Sequence, residues 1–144
     1  MKRLQKGFTL VEIIMVLGIA SLITAAVFIA VSGAQRSARD TTRRADTQKL
    51  ATAIEQWSAN NNGVLPGTTG DQFDPLKPGN LFELGYLNAE KFKDPKSGVQ
   101  YPVRYSASPT CTTNTGDMFY TPDSSNDSYT LTTCLEAGKY TYKP

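Results

Sequence analysis

Histidine is missing from the 144 residues, cysteine occurs twice and tryptophan once. Without His the chain lacks the commonest general base and metal ligand, and Cys111 and Cys134 alone cannot make a four-ligand zinc site. No set of nucleophile, base and orienting group can be assembled from the motifs present, so neither an enzyme nor a cofactor is expected. A dominant charge is lacking too: 15 Lys+Arg stand against 13 Asp+Glu. That balance is too even for a chain that coats itself with nucleic acid, and 40% apolar content is too high for a disordered tail. The length allows one core of ordinary size.

The most informative absence is local. Residues Ile13 to Val31 hold no charge, although the whole chain has a mean hydropathy of -0.33. The chain therefore meets two solvents. Lys2, Arg3 and Lys6 precede the apolar run, and Glu12 is the only ionisable side chain between Phe8 and Ala34. About 20 apolar residues cross a bilayer core, so the run is long enough. Three cations ahead of it also describe a secretory signal cut near Ser32, Gly33 and Ala34. The run exceeds the usual h-region in length, however, and carries a carboxylate near its start.

Lys6-Gly7-Phe8-Thr9-Leu10-Val11-Glu12 resembles the class III leader of type IV pilins and type II secretion pseudopilins. The resemblance implies a cleaved leader at residues 1–7, cut between Gly7 and Phe8 by a membrane prepilin peptidase that also methylates the new Phe8 amine. It implies a transmembrane and filament-core helix over 8–34, an amphipathic continuation over 35–62 and a globular head over 63–144. Loss of Lys2, Arg3 and Lys6 takes 15 basic residues to 12 against 13 acids, a net charge of -1. A charge in hydrocarbon costs about 2.5–3.5 kcal/mol at a helix centre, so Glu12 needs a partner or an exit. In the family that Glu neutralises the terminal amine of a neighbouring subunit, which assigns assembly here to Glu12 and Phe8. A carboxylate at a helix N-terminus, favoured by the helix dipole and reaching for the interface, is the simpler alternative.

Ala26, Ala30, Ala34 and Ala38 recur every fourth residue and place a stripe of small side chains along the helix. Such a stripe allows close helix packing in a bundle of like helices, and Ala is equally a good helix former. Beyond it, Ala38, Ala45, Leu50, Ala53, Ile54 and Trp57 are expected to share one broad face, with Asp40 and Arg44, and Asp46 and Lys49, as charged helical neighbours. Asn60-Asn61-Asn62-Gly63 with Pro66 signals the helix end. A single helix from Phe8 to Asn62 would extend roughly 80 Å.

Arg36, Arg39, Arg43 and Arg44 follow the span and outnumber the cations before it, so the positive-inside count alone puts the C-terminal part in the cytoplasm. The leader motif puts it outside. With Asp40 and Asp46 interleaved, these residues read as a solvated, ion-paired stem, with anionic lipid or DNA as other ligands for the arginines. Ile29 stands where many relatives have a helix-breaking Pro.

In the head, Gly63 to Lys96 is punctuated by Gly and Pro and reads as a connecting αβ-loop, with a short helix possible at residues 80–84. Alternation at Val99, Tyr101, Val103 and Tyr105, and from Tyr129 to Leu135, predicts strands, with Pro102 pointing to an edge. Asp117 to Tyr120 and Lys139 to Tyr142 are further candidates. The expected fold is α+β: a long N-terminal helix packed through its second half on a small antiparallel sheet.

The segments Phe82 to Leu87, Asp94 to Gly98 and Tyr129 to Glu136 also resemble pilin heads, many of which carry a C-terminal disulfide-bounded loop. That resemblance pairs Cys111 with Cys134, two buried free thiols being the alternative. Asp117, Asp123 and Asp127, with Asn126, could supply oxygen ligands to calcium as in some major pseudopilins; the spacing is not that of an EF-hand, and a solvated polar loop fits the same residues. Asn126-Asp127-Ser128 matches a glycosylation triplet.

The resemblance thus implies a structural subunit of a type IV pilus-like filament, or a secretion or DNA-uptake pseudopilin, with nucleic acid as a partner only in the last case. Its partners would be copies of itself, the prepilin peptidase, minor pilins and a membrane assembly platform. It would sit in the cytoplasmic membrane before assembly and at the cell surface after it. A single-span membrane-anchored binding domain that never polymerises is the rival from another class.

Overall fold

The computed structural model describes residues 7–66, 81–82, 84–111, 116–123 and 127–144. One helix, α1 (Leu10–Asn60), is followed by four strands: β1 (Val103–Tyr105), β2 (Met118–Pro122), β3 (Tyr129–Leu135) and β4 (Gly138–Tyr142). The chain divides into two compact units, Met1–Gln35 and Arg36–Pro144. The α+β layout matches the expectation.

The first unit holds the apolar part of α1, whose large side chains from Leu10 to Val31 all face outward. Its most apolar 18-residue window has a mean hydropathy of 2.7 with none of it buried, long and apolar enough to cross a membrane. With no protein core to satisfy, only hydrocarbon or other helices can shield such a surface.

In the second unit α1 packs across a four-stranded sheet of order β1-β2-β3-β4. Leu50, Ala51, Ala53 and Ile54 are buried, with Trp57 packed against the same cluster. Ala38 and Ala45 are exposed instead of sharing that face. At 100° per residue they sit about 120–140° around the helix from Leu50. The inward face is continued N-terminally by Asp40, Arg43 and Thr47. Beyond Asn60 the Gly63 N–H donates to the Ser58 carbonyl (2.9 Å), and Asn62 and Gly63 take positive φ, the left-handed exit that Asn and Gly tolerate.

β2, β3 and β4 pair antiparallel, but β1 pairs parallel with β2, so the sheet is mixed where an antiparallel one was expected. The cause lies in the connection: residues 106–117 are the dozen that a crossover between parallel neighbours requires, where a hairpin needs only a few. β1 is shorter than the alternation suggested, with Val99 exposed and Gln100 bridged only to Lys93. It is an edge strand, as Pro102 indicated, and the Pro102 carbonyl accepts from the Met118 N–H (3.1 Å). Along β3, Tyr129, Leu131, Thr133 and Leu135 share the period-two face toward the helix. On the opposite face Cys134 is also buried, bridged to Cys111 with their Cα atoms 5.5 Å apart. The stretch enclosed by this bridge contains the central strand β2 and is not a loop throughout. The closure is worth about 3 kcal/mol by chain-entropy reasoning. Of the short helix sought at 80–84, Asn80 and Glu83 lie outside the described residues, and Leu81, Phe82 and Leu84 form turns.

Candidate functional site

Two regions carry chemistry: the start of α1 and the stem just after the apolar run.

Gly7, Phe8 and Thr9 precede the helix, and Phe8 is 84% exposed. Thr9 is the N-cap. Its N–H and hydroxyl both donate to Glu12 Oε2 (2.9 and 2.7 Å), while its Oγ1 receives the Glu12 N–H (3.3 Å). This Thr-x-x-Glu arrangement is a capping box, in which each side chain satisfies the other's backbone donor at an otherwise orphaned helix end. Glu12 therefore has an intramolecular role that sequence reasoning put down only to the helix dipole, although the spacing of Thr9 and Glu12 was legible. Ala26, Ala30, Ala34 and Ala38 are all exposed.

The stem region departs most from expectation. Arg43, read as a solvated charge, is fully buried at 0% exposure. Its Nε donates to Asp94 Oδ1 (2.8 Å), its Nη1 lies 3.4 Å from Asp40 Oδ1, and Glu136 Oε1 is 4.0 Å away. Asp40 pairs with Arg43 rather than with Arg44, and its two oxygens accept the Glu136 and Ala137 N–H groups (2.8 and 3.1 Å), which fixes the β3–β4 turn. Arg39 grips Glu136 with two bonds (2.6 and 3.0 Å), while Arg44 stacks its guanidinium 5.7 Å over the Tyr140 ring. Asp46 accepts from Lys49 (2.7 Å), as expected, and from the Tyr101 hydroxyl (2.9 Å). Thr47 meets Thr133 across the interface at 2.7 Å.

The exchange is reciprocal: the stem lends acids to the head's turn and the head lends acids to the stem's arginines. Burial pushes the Asp94 carboxyl up, but the Arg43 guanidinium and the Ser97 N–H outweigh it and hold it below the usual carboxylate range. The Arg39 hydrogen bonds hold Glu136 low, against its partial desolvation. Burial and the bond to Asp46 push the Tyr101 hydroxyl well up. Gly116 closes the site from the head side. It sits at φ +72°, and a Cβ there would lie 2.8 Å from Asp94 Oδ1 and 3.1 Å from Arg43 Nε, so glycine is required both by backbone and by space. The missed signal was the phase: residues 40, 43, 47, 50 and 54 follow a 3-4-3-4 spacing, one face whose polar half continues its apolar half.

The calcium candidates do not converge among the described residues. Asp123 and Asp127 are exposed, Asp117 is half-buried, Asn126 lies outside the described residues, and no group of three His, Cys, Asp or Glu side chains could hold a metal there.

No curated protein and no solved structure matches the chain. Residues 2–28 match the family model described as the prokaryotic N-terminal methylation motif. The chain thus carries the class III prepilin leader of type IV pilins and pseudopilins, which supports a type IV pilin-like or pseudopilin precursor.

Proposed function

We propose that the protein is a structural subunit of a type IV pilus-like filament, cut between Gly7 and Phe8, methylated at Phe8 and polymerised through its N-terminal helix. The observation that carries this reading is the coincidence of the methylation motif over residues 2–28 with an apolar helical run, Leu10 to Val31, whose large side chains are exposed among the described residues. Before assembly that surface is shielded by the cytoplasmic membrane, and afterwards by copies of the same helix at the cell surface. The Ala26, Ala30, Ala34 and Ala38 stripe suits close approach between such copies. The peptidase, minor pilins and an assembly platform are the implied partners. The role of the subunit is mechanical, and no reaction is assigned to it.

Glu12 then acts twice: as the capping partner of Thr9, and as the charge that neutralises the Phe8 amine of a neighbour. The capping box supplies a way to separate these roles. Gln preserves the box but not the charge, whereas Ala loses both. If charge pairing drives assembly, Glu12→Gln and Glu12→Ala both leave membrane insertion and leader cleavage intact and sharply reduce sheared filaments. If only the cap matters, Glu12→Gln gives normal filament yield, and that result would remove the pairing mechanism.

A further inference from the structure

Charges in the Arg36–Pro144 unit are sorted by depth where the stem begins. The acids are turned inward: Asp40, Asp46 and Asp94 are buried, and the Glu136 side chain is 8% exposed beneath Arg39. Apart from Arg43, buried among these acids, and Arg39, which grips Glu136, the cations here are turned outward. Arg36 has 70% of its side chain exposed and only a 4.0 Å contact with Glu136. Arg44, Lys96 and Lys139 are exposed as well, Arg44 held over Tyr140 one residue from Lys139, and Lys96 near enough to Glu136 to help lower its pKa. A stem needing only solvation would leave its acids at the surface, since burying carboxylates carries a desolvation cost of several kcal/mol each. Near-neutral composition thus conceals a cationic surface.

The place of this surface in the chain says what it meets. Arg36 comes five residues after Val31, the last large apolar side chain of the run. Five residues cover roughly 7 Å as helix and no more than about 18 Å fully extended. The headgroup layer outside the hydrocarbon is about 5–8 Å deep on each side, so with the apolar run in the bilayer Arg36 reaches lipid phosphates.

We propose that, in the membrane-anchored chain, Arg36, Lys96 and Lys139 form a contact surface for the phosphates of anionic phospholipid in the leaflet from which the 36–144 unit emerges. The surface resolves the charge count that conflicts with the leader: these cations follow the span because their acids are buried and their phosphate partners lie in the lipid. Exposed contacts of this kind orient a head yet release it readily when the helix leaves the bilayer. The proposal rests on the reading of α1 as a membrane span and is independent of filament formation.

The test uses the full chain in nanodiscs of phosphatidylcholine alone or mixed with phosphatidylglycerol, with a spin label on the lipid headgroups. Relaxation of the Ala137, Gly138 and Lys139 amides and the enrichment of phosphatidylglycerol around the chain are the readouts. We expect stronger relaxation and enrichment in the mixed discs, loss of both in high salt, and about a fivefold fall in enrichment for each of Lys96→Gln and Lys139→Gln. Both residues are exposed, so a thermal melt equal to wild type keeps the comparison valid. Equal signals in the two lipids, or indifference to both substitutions, would overturn the proposal. So would a signal that follows the number of chains per disc rather than lipid charge, which would assign the surface to a second copy. Failure of the chain to insert at all, seen as carbonate-extractable protein, would overturn the span reading along with it.

Discussion

Replacing Arg43 by Met tests the polar half of the helix–sheet interface. The substitution keeps a long side chain but removes the Nε donor at 2.8 Å from Asp94 Oδ1 and the Nη1 that faces Asp40 and Glu136. Asp94 is 3% exposed and Gly116 seals it from the other side, so its carboxylate cannot turn to water. Breaking a buried pair by removing one partner costs about 3–5 kcal/mol. Against this, the buried Arg43 Nη2 has no hydrogen-bond partner among the described residues, and deleting it returns part of a penalty of about 1–3 kcal/mol. The net expectation is a loss of about 2–4 kcal/mol from a stability on the order of 5–15 kcal/mol. Trp57 is the only tryptophan and packs on the core of the head, so its fluorescence reports the head alone. In urea titrations of the full chain in detergent, the midpoint should fall by about 1–2 M with an unchanged slope, given m near ~2 kcal/mol/M. Adding Asp94→Asn removes the stranded charge while keeping an acceptor for the Ser97 N–H, so the double variant should lose less than the sum of the singles by at least about 1 kcal/mol. A single variant within ~0.5 kcal/mol of wild type, or strict additivity, would refute the reasoning.

Acid should loosen the same region. Asp94 and Glu136 have folded pKa values below their ordinary ones, so their contribution is complete above the ordinary carboxylate range and is lost as pH falls through the lowered values. Trp57-monitored stability should be flat from pH 7 to about 5 and decline below about 4, with a shallower decline in Asp94→Asn. Tyr101 behaves oppositely: its raised pKa stabilises the fold below about pH 10, and that contribution fades above it, an alkaline limb that Tyr101→Phe should flatten. Gly116→Ala meets both a left-handed backbone and the Asp94 carboxylate, and should cost at least about 1–2 kcal/mol in the same titration; Gly98→Ala, with a similar φ but open space around it, isolates the backbone share.

The sequence made some of this legible for physical reasons. Nineteen uncharged residues, the leader motif and a capped exit at Asn60 to Gly63 specify α1, because a long apolar run, that motif and αL geometry each admit few residue types. Strand β3 fell where period-two alternation predicted it, and β2 and β4 fell on the two further candidate segments. The parallel pairing of β1 was not legible, since pairing direction depends on how residues 106–117 cross and not on any local pattern. Arg43 was misread because charge was taken as a sign of solvent; besides Asp40 on its own helix, the residue is buried by Asp94, Gly116 and Glu136 from three distant segments, which single-helix periodicity does not contain. Its phase with Leu50 and Ile54 was the available clue. At the candidate assembly site, the Thr-x-x-Glu spacing announced the capping box, whereas any neighbour's amine lies beyond what one chain can contain.

The central claim is that this chain is a processed filament subunit, and the intact mass of the protein isolated from the cell envelope tests it most directly. The account predicts a mature chain that begins at Phe8 with one added methyl group on its amine and with the Cys111–Cys134 bridge closed. A chain that retains Met1, or one cut after Ala34, would contradict it.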